Sequence, residues 1–289
     1  MTENLMNTYS HSKINCFKQC PKMYEYKYID KLDPIGSKEA LNIGKSVHKG
    51  IELGSSDGAL EYMEQEKFFT DEKAETNKAL VLAMVDAYLE RWGNEKMIHE
   101  VEFRLPLKEN CELLGYIDGI IEEDEGYWLE ETKTASLVNA DYIDKLQYTD
   151  QITKYLLAIR ELKEQLGLDV NKPVLGIKYR VLRKPMIRQK KDESIDQFRK
   201  RLVEKFTDEA DDYVFEFILN RTDEELDECK EDLLEDINQI ESAKRFTKTL
   251  SSCSMYGRCP YMELCMKQEN ARLLYVERKK EEEQDVTGE

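Results

Sequence analysis

The chain has 289 residues, 40% of them hydrophobic and 36% charged, with a formal net charge of -17. That balance fits a soluble globular protein with many exposed helices, and it excludes polyanion binding over the whole surface, so any nucleic acid is confined to a local basic groove. No apolar run is long enough to cross a bilayer and the start MTENLMNTYSHSK lacks the regions of a signal peptide, so a cytosolic setting with reduced thiols is expected.

From the N-terminus, SHSKINCFKQCPKMYEYKYIDKL spaces Ile14, Phe17, Tyr24 and Tyr28 at near-helical intervals behind a capping serine, with Pro21 breaking or restarting the helix. Two helical passages follow over roughly 40–54 and 74–93, the second with an apolar stripe through Leu80, Met84, Tyr88 and Trp92. From 98 the period changes to two: IHEVEFRLPL, LLGYIDGIIE and GYWLEETK read as three strands, the last two joined by the turn EDEG. A helical run over 141–166, a fourth strand in KPVLGIKYRVL, a charged helical stretch over 192–245 and a loop-like cysteine segment over 247–265 complete the pattern. Helix, three strands, helix and strand in this order imply an α/β core with a mixed sheet.

Alternation along the third strand puts Glu131 and Lys133 on one face, with Glu130 and Thr132 on the other. A hairpin through EDEG brings Asp118 beside Glu131. Two adjacent carboxylates repel unless a cation sits between them, and hard oxygen donors favour Mg²⁺ or Mn²⁺. A lysine on that face orients or helps deprotonate an attacking water, which is the chemistry of phosphodiester hydrolysis. The plainer reading is an acidic turn and an exposed strand end, because acid-x-Lys is common in charged proteins.

These residues resemble the PD-(D/E)XK nuclease superfamily, whose core is an acid on one strand and Glu-x-Lys on the next. More narrowly they are similar to its RecB/AddB-type branch, which includes the small RecB-like exonucleases of CRISPR adaptation and of phages. That branch carries Gly-x-x-x-His upstream, matched by Gly44 and His48, and Gln-x-x-x-Tyr downstream, matched by Gln151 and Tyr155, in the same order along the chain. The resemblance implies a restriction-endonuclease-like core with helical additions, Asp118, Glu131 and His48 as metal ligands, Lys133 assisting the water, and Gln151 and Tyr155 as a polar edge at the catalytic centre. The chain length suits one nuclease domain, expected over 1–270 with a helical part to 95, a core over 96–190 and a helical, cysteine-bearing part from 191, and the charged composition of 271–289 predicts a disordered tail.

Seven cysteines in a reducing setting point to metal ligation, catalysis or packing and not to disulfides. Cys253, Cys259 and Cys265 are evenly spaced by six, and Cys20 is the natural fourth ligand, with Cys16 a rival one helical turn away. In the iron-sulfur members of the resembling branch, one N-terminal and three C-terminal cysteines hold a 4Fe-4S cluster. Here five residues separate Cys253 from Cys259 where those relatives commonly have two, and Zn²⁺ is the chemical alternative for four thiolates. Cys111 and Cys229 stand alone and read as packing residues.

The stretch KYRVLRKPMIRQKK has seven Lys and Arg and no acid, so Lys178, Arg180, Arg183, Lys184 and Arg188 are expected to neutralise DNA phosphates. Tyr24, Tyr26 and Tyr28 suit base stacking or core packing, and packing is favoured. Altogether the expectation is a metal-dependent DNase, an exonuclease on single strands or DNA ends in a bacterial, archaeal or phage-infected cytosol, with any helicase or recombination partner on another chain. The competing readings are an endonuclease, a DNA- or partner-binding module of the same fold without turnover, and a zinc-stabilised adaptor.

Overall fold

The computed structural model describes residues 6–36, 38–255 and 257–278. In chain order, β1 (Asn7–Tyr9), α1 (His11–Gln19), α2 (Pro21–Tyr24), a π-helical turn and β2 (Leu32–Pro34) precede α3 (Glu39–Glu52), α4 (Ser56–Gln65) and α5 (Ala74–Trp92). Strands β3 (Met97–Lys108), β4 (Cys111–Glu122) and β5 (Tyr127–Ala135) follow, then α6 (Ala140–Leu146), α7 (Asp150–Leu162) and β6 (Val174–Arg183). Next come α8 (Ile195–Asp208), α9 (Ala210–Tyr213), β7 (Val214–Leu219), α10 (Asp223–Ser242), α11 (Met262–Cys265) and β8 (Tyr275–Glu277). No helix among the described residues is long and apolar enough to cross a membrane.

The chain divides into two compact units: Met1–Ser37 with Glu102–Gly115 and Asp223–Glu289, and Lys38–Val101 with Tyr116–Thr222. In the first unit the Ser10 hydroxyl caps α1 by accepting from the Lys13 N–H, and Pro21 opens α2, where a missing N–H costs nothing. Helix α10 turns Leu226, Leu233, Ile237 and Ile240 inward, and Lys18 and Lys108 reach its Asp236 and Glu241 at 2.9 and 2.7 Å. Tyr24 packs against Phe17, Tyr28 and Phe246, so it fills core.

The expected tail loses its first residues to this unit. Strand β8 pairs antiparallel with β2, Tyr275 is buried, and Arg278 reaches Asp33 at 2.6 Å. Residues 279–289 lie outside the described residues.

The second unit carries a mixed sheet flanked by helices. β5 runs antiparallel to β4 and parallel to β6, and β7 closes antiparallel on β6. Helices α3, α4, α5 and α8 share a core through Val47, Met63, Met84 and Phe198. α3, α4 and α5 cross closely at Gly50, where a Cβ would meet Val85 at 2.6 Å and Ala59 at 2.8 Å. One sheet face meets α5, whose Tyr88 hydroxyl reaches Glu130; the other meets α6, whose Tyr142 bonds to Tyr179.

Three sequence expectations change here. The helical run over 141–166 is two helices, because Arg221 hydrogen-bonds the Gln147 and Thr149 carbonyls at 3.1 and 3.5 Å and so stabilises a break between them. The stretch over 192–245 is interrupted by β7, whose Val-Phe-Glu-Phe-Ile-Leu run pairs with β6. A further helix, α4, fills the gap after residue 54 behind a Ser55 cap.

Candidate active site

The β4–β5 ladder stops at Gly119–Glu130. Where Asp118 would pair next, its carboxylate takes the place of a backbone carbonyl: the Thr132 N–H donates to Asp118 Oδ2 at 2.8 Å. Its other oxygen, Oδ1, lies 3.3 Å from His48 Nδ1, presented by α3. Ligand atoms of His48, Glu100 and Asp118 all fall within 4.8 Å of one another, a group that can hold a metal ion. Ile51, Glu52, His99, Glu130 and Thr132 complete the pocket.

Electrostatics couple these groups. Burial disfavours charge on His48, but Asp118 overcomes it and pushes the imidazole up to about 9. Burial likewise opposes ionisation of Asp118, yet His48 and then Lys133 hold it below the usual carboxylate range. Glu131, 2% exposed, is pushed up to about 7 by burial, with Lys133 opposing and Asp118 adding to the rise. Burial and Asp118 together take Glu130 to about 8.

Lys133 forms an ion pair with Glu131 at 2.5 Å. Glu131 is thus balanced by Lys133, and the need for a further cation comes from Glu100 and Asp118, two carboxylates gathered beside His48. With an imidazole and several carboxylates close by, the donor set fits Mn²⁺ or Mg²⁺.

Gln151 and Tyr155 share a buried face of α7, the amide donating to the phenol oxygen at 2.9 Å. The Tyr155 phenol is pushed up by burial and then by Glu131, which places it in the field of the Glu131–Lys133 pair. Tyr148 precedes α7 and is 87% exposed.

Glu100 and His99 were missed by sequence reasoning. Glu100 has φ of +50° inside β3, so strand alternation breaks there and two successive side chains line one pocket. Only an adjacent His-Glu pair in a strand hinted at it.

The basic segment is largely consumed internally. Arg180, expected at a DNA groove, is 0% exposed and donates to Glu216 and Tyr88 at 2.9 Å each, and to Glu95. Lys178 pairs with Glu123 at 2.7 Å and Glu95 at 3.5 Å. Strand β6 lies between β5 and β7, so its charges meet neighbours before solvent. Arg183 donates to the Asp212 carbonyl and lies over Tyr213, and burial pulls Lys184 down in pKa. Arg188 is exposed.

Cys20, Cys253, Cys259 and Cys265 all belong to the first unit. Cys20 is buried, its Sγ accepts the Thr249 N–H at 3.5 Å, and the Cys259 N–H donates to the Cys253 carbonyl at 2.9 Å. Burial pushes the Cys259 and Cys265 thiols up. Among the described residues no three cysteine sulfurs lie within 4.8 Å of one another, so the tight thiolate tetrahedron of zinc is not preformed and the geometry does not support a cluster by itself. The rival Cys16 is buried, as is Cys111, while Cys229 is half-buried.

No curated protein matches the chain. The family model of the PD-(D/E)XK nuclease superfamily matches residues 8–266, nearly the whole sequence. The chain belongs to the PD-(D/E)XK nuclease superfamily.

Proposed function

We propose that the protein is a divalent-metal-dependent deoxyribonuclease that hydrolyses phosphodiester bonds at the end of β4 and β5. The observation that carries this is the group His48, Glu100 and Asp118, whose ligand atoms all lie within 4.8 Å of one another, in the field of the buried Glu131–Lys133 ion pair. His48, Asp118 and Glu131 are the proposed metal ligands, with Glu100 as a further carboxylate. A divalent ion bound there supplies positive charge to a phosphodiester oxygen and acidifies water.

The chain's own groups do the rest. Burial opposes the charge on Lys133, but Glu131 and Asp118 outweigh it and raise its pKa, so the side chain stays an ammonium. As an ammonium it orients water and stabilises the developing negative charge. Gln151 and Tyr155 hold the wall behind that ammonium.

Exonuclease action on single strands or free ends, and membership of the RecB/AddB-type branch, are the finer reading, supported by Gly44, His48, Gln151 and Tyr155 in branch order. Digestion of end-labelled and closed circular single-stranded DNA with Mn²⁺ or Mg²⁺ tests it. Release of labelled ends, sparing of circles and loss of turnover in Lys133→Ala are expected; full activity in that variant ends the assignment. A 4Fe-4S cluster on Cys20, Cys253, Cys259 and Cys265 belongs to the same reading, and anaerobically purified protein is then brown and contains iron. Colourless protein containing zinc would remove it.

A further inference from the structure

Four polar side chains, Tyr88, Glu130, Thr132 and Arg180, are buried at 1% exposure or less, and Glu130 and Thr132 line the pocket together with Asp118. The four form one chain of hydrogen bonds. Arg180 Nη1 donates to the Tyr88 oxygen at 2.9 Å, the Tyr88 hydroxyl donates to Glu130 Oε1 at 3.2 Å, and the Thr132 hydroxyl donates to the same Glu130 oxygen. Arg180 is itself fixed, its guanidinium lying 4.4 Å over the Trp92 ring and pairing with Glu95 and Glu216.

The free end of this chain is the Thr132 peptide. Its N–H holds Asp118 Oδ2, while Oδ1 of the same carboxylate faces His48 in the group suited to metal. We propose that Tyr88, Glu130 and Arg180 are positioning residues, acting through Thr132 to aim Asp118 at the ion. This rests on the nuclease reading above, which assigns Asp118 as a ligand.

The physical case is one of cost and return. Burying a guanidinium, a phenol, a carboxyl and a hydroxyl demands desolvation that apolar side chains of similar size would avoid. Stability alone does not call for it. What the arrangement returns is direction. β5 has left β4 at Glu130, so no ladder bond from β4 fixes the Thr132 N–H; the ladder to β6 holds the strand from its other edge, and the tie from the Thr132 hydroxyl to Glu130 adds a constraint to it. Residues that orient a ligand in this way commonly change metal affinity about 10- to 100-fold when removed.

The test is calorimetric titration of the intact, metal-free protein with Mn²⁺ alone, beside thermal melting without metal. Tyr88→Phe and Thr132→Val are expected each to weaken Mn²⁺ binding roughly tenfold. The double variant should lose no more than the weaker single, since both cut one chain. Thr132→Ser, which keeps the hydroxyl and spares the fold, should bind within about twofold of the parent.

Parent-like Mn²⁺ affinity in Tyr88→Phe and Thr132→Val, with binding abolished by Asp118→Asn, would overturn the positioning role and leave the nuclease reading intact. Losses that simply add and follow the drop in melting temperature would overturn it too. If the parent protein takes up no Mn²⁺ and Asp118→Asn changes nothing, the nuclease reading itself has failed.

Discussion

Arg180→Ala separates a structural arginine from a DNA-binding one. The side chain is wholly buried and makes three donations, two of them to the carboxylates of Glu95 and Glu216 and one to Tyr88. Bonds to charged partners contribute about 1.5–3 kcal/mol each, and breaking a buried ion pair from one side typically costs about 3–5 kcal/mol. Glu95 and Glu216 are 25% and 30% exposed, so water relieves part of their loss and the lower end of that range applies. At roughly 2–4 °C per kcal/mol, the melting midpoint should fall by at least about 6 °C. Arg188→Ala is the control, an exposed position expected to change stability by under about 0.5 kcal/mol. Differential scanning calorimetry reads both. An Arg180→Ala protein that melts with the parent and binds DNA more weakly would refute the reasoning and return the residue to the groove.

Glu100→Gln should weaken Mn²⁺ binding by roughly tenfold, whereas Glu102→Gln, outside the group proposed to hold metal, should not; equal effects in titration calorimetry would remove Glu100 from the site. The metal-free protein should lose stability as pH rises from 6 to 9. His48, Glu131 and Glu130 all have folded values raised above their ordinary ones, to about 9, 7 and 8, so each favours the fold at low pH and loses that contribution through its folded value. Asp118, shifted down, acts only in acid. A midpoint that climbs over this window in EDTA would contradict that sign. Gly44→Ala should preserve or slightly raise the melting temperature, because the nearest atom to its added Cβ is 3.9 Å away and alanine favours helix. Gly50→Ala should lower it, since its Cβ meets Val85 at 2.6 Å.

Much of the core was legible because period-two runs and turn residues act locally. Alternation correctly paired Glu131 with Lys133, and EDEG joins β4 to β5. Glu100 was invisible for the same reason: a left-handed backbone angle inside β3 suspends the alternation the reading depends on. Arg180 misled because a run of like charges looks solvated until strand order is known, and only pairing with Glu95 and Glu216 shows where each charge goes. β7 was hidden between two highly charged helices, although its aromatic and branched residues carried a strand signal. The division at Gln147–Thr149 depends on Arg221, which no local window contains.

The most direct measurement is anomalous diffraction from crystals of the intact protein soaked in Mn²⁺. One strong peak in contact with His48, Asp118 and Glu131 is the predicted result. A peak elsewhere, or none there in crystals that diffract well with Mn²⁺ in excess, would contradict the assignment of these groups to a common ion.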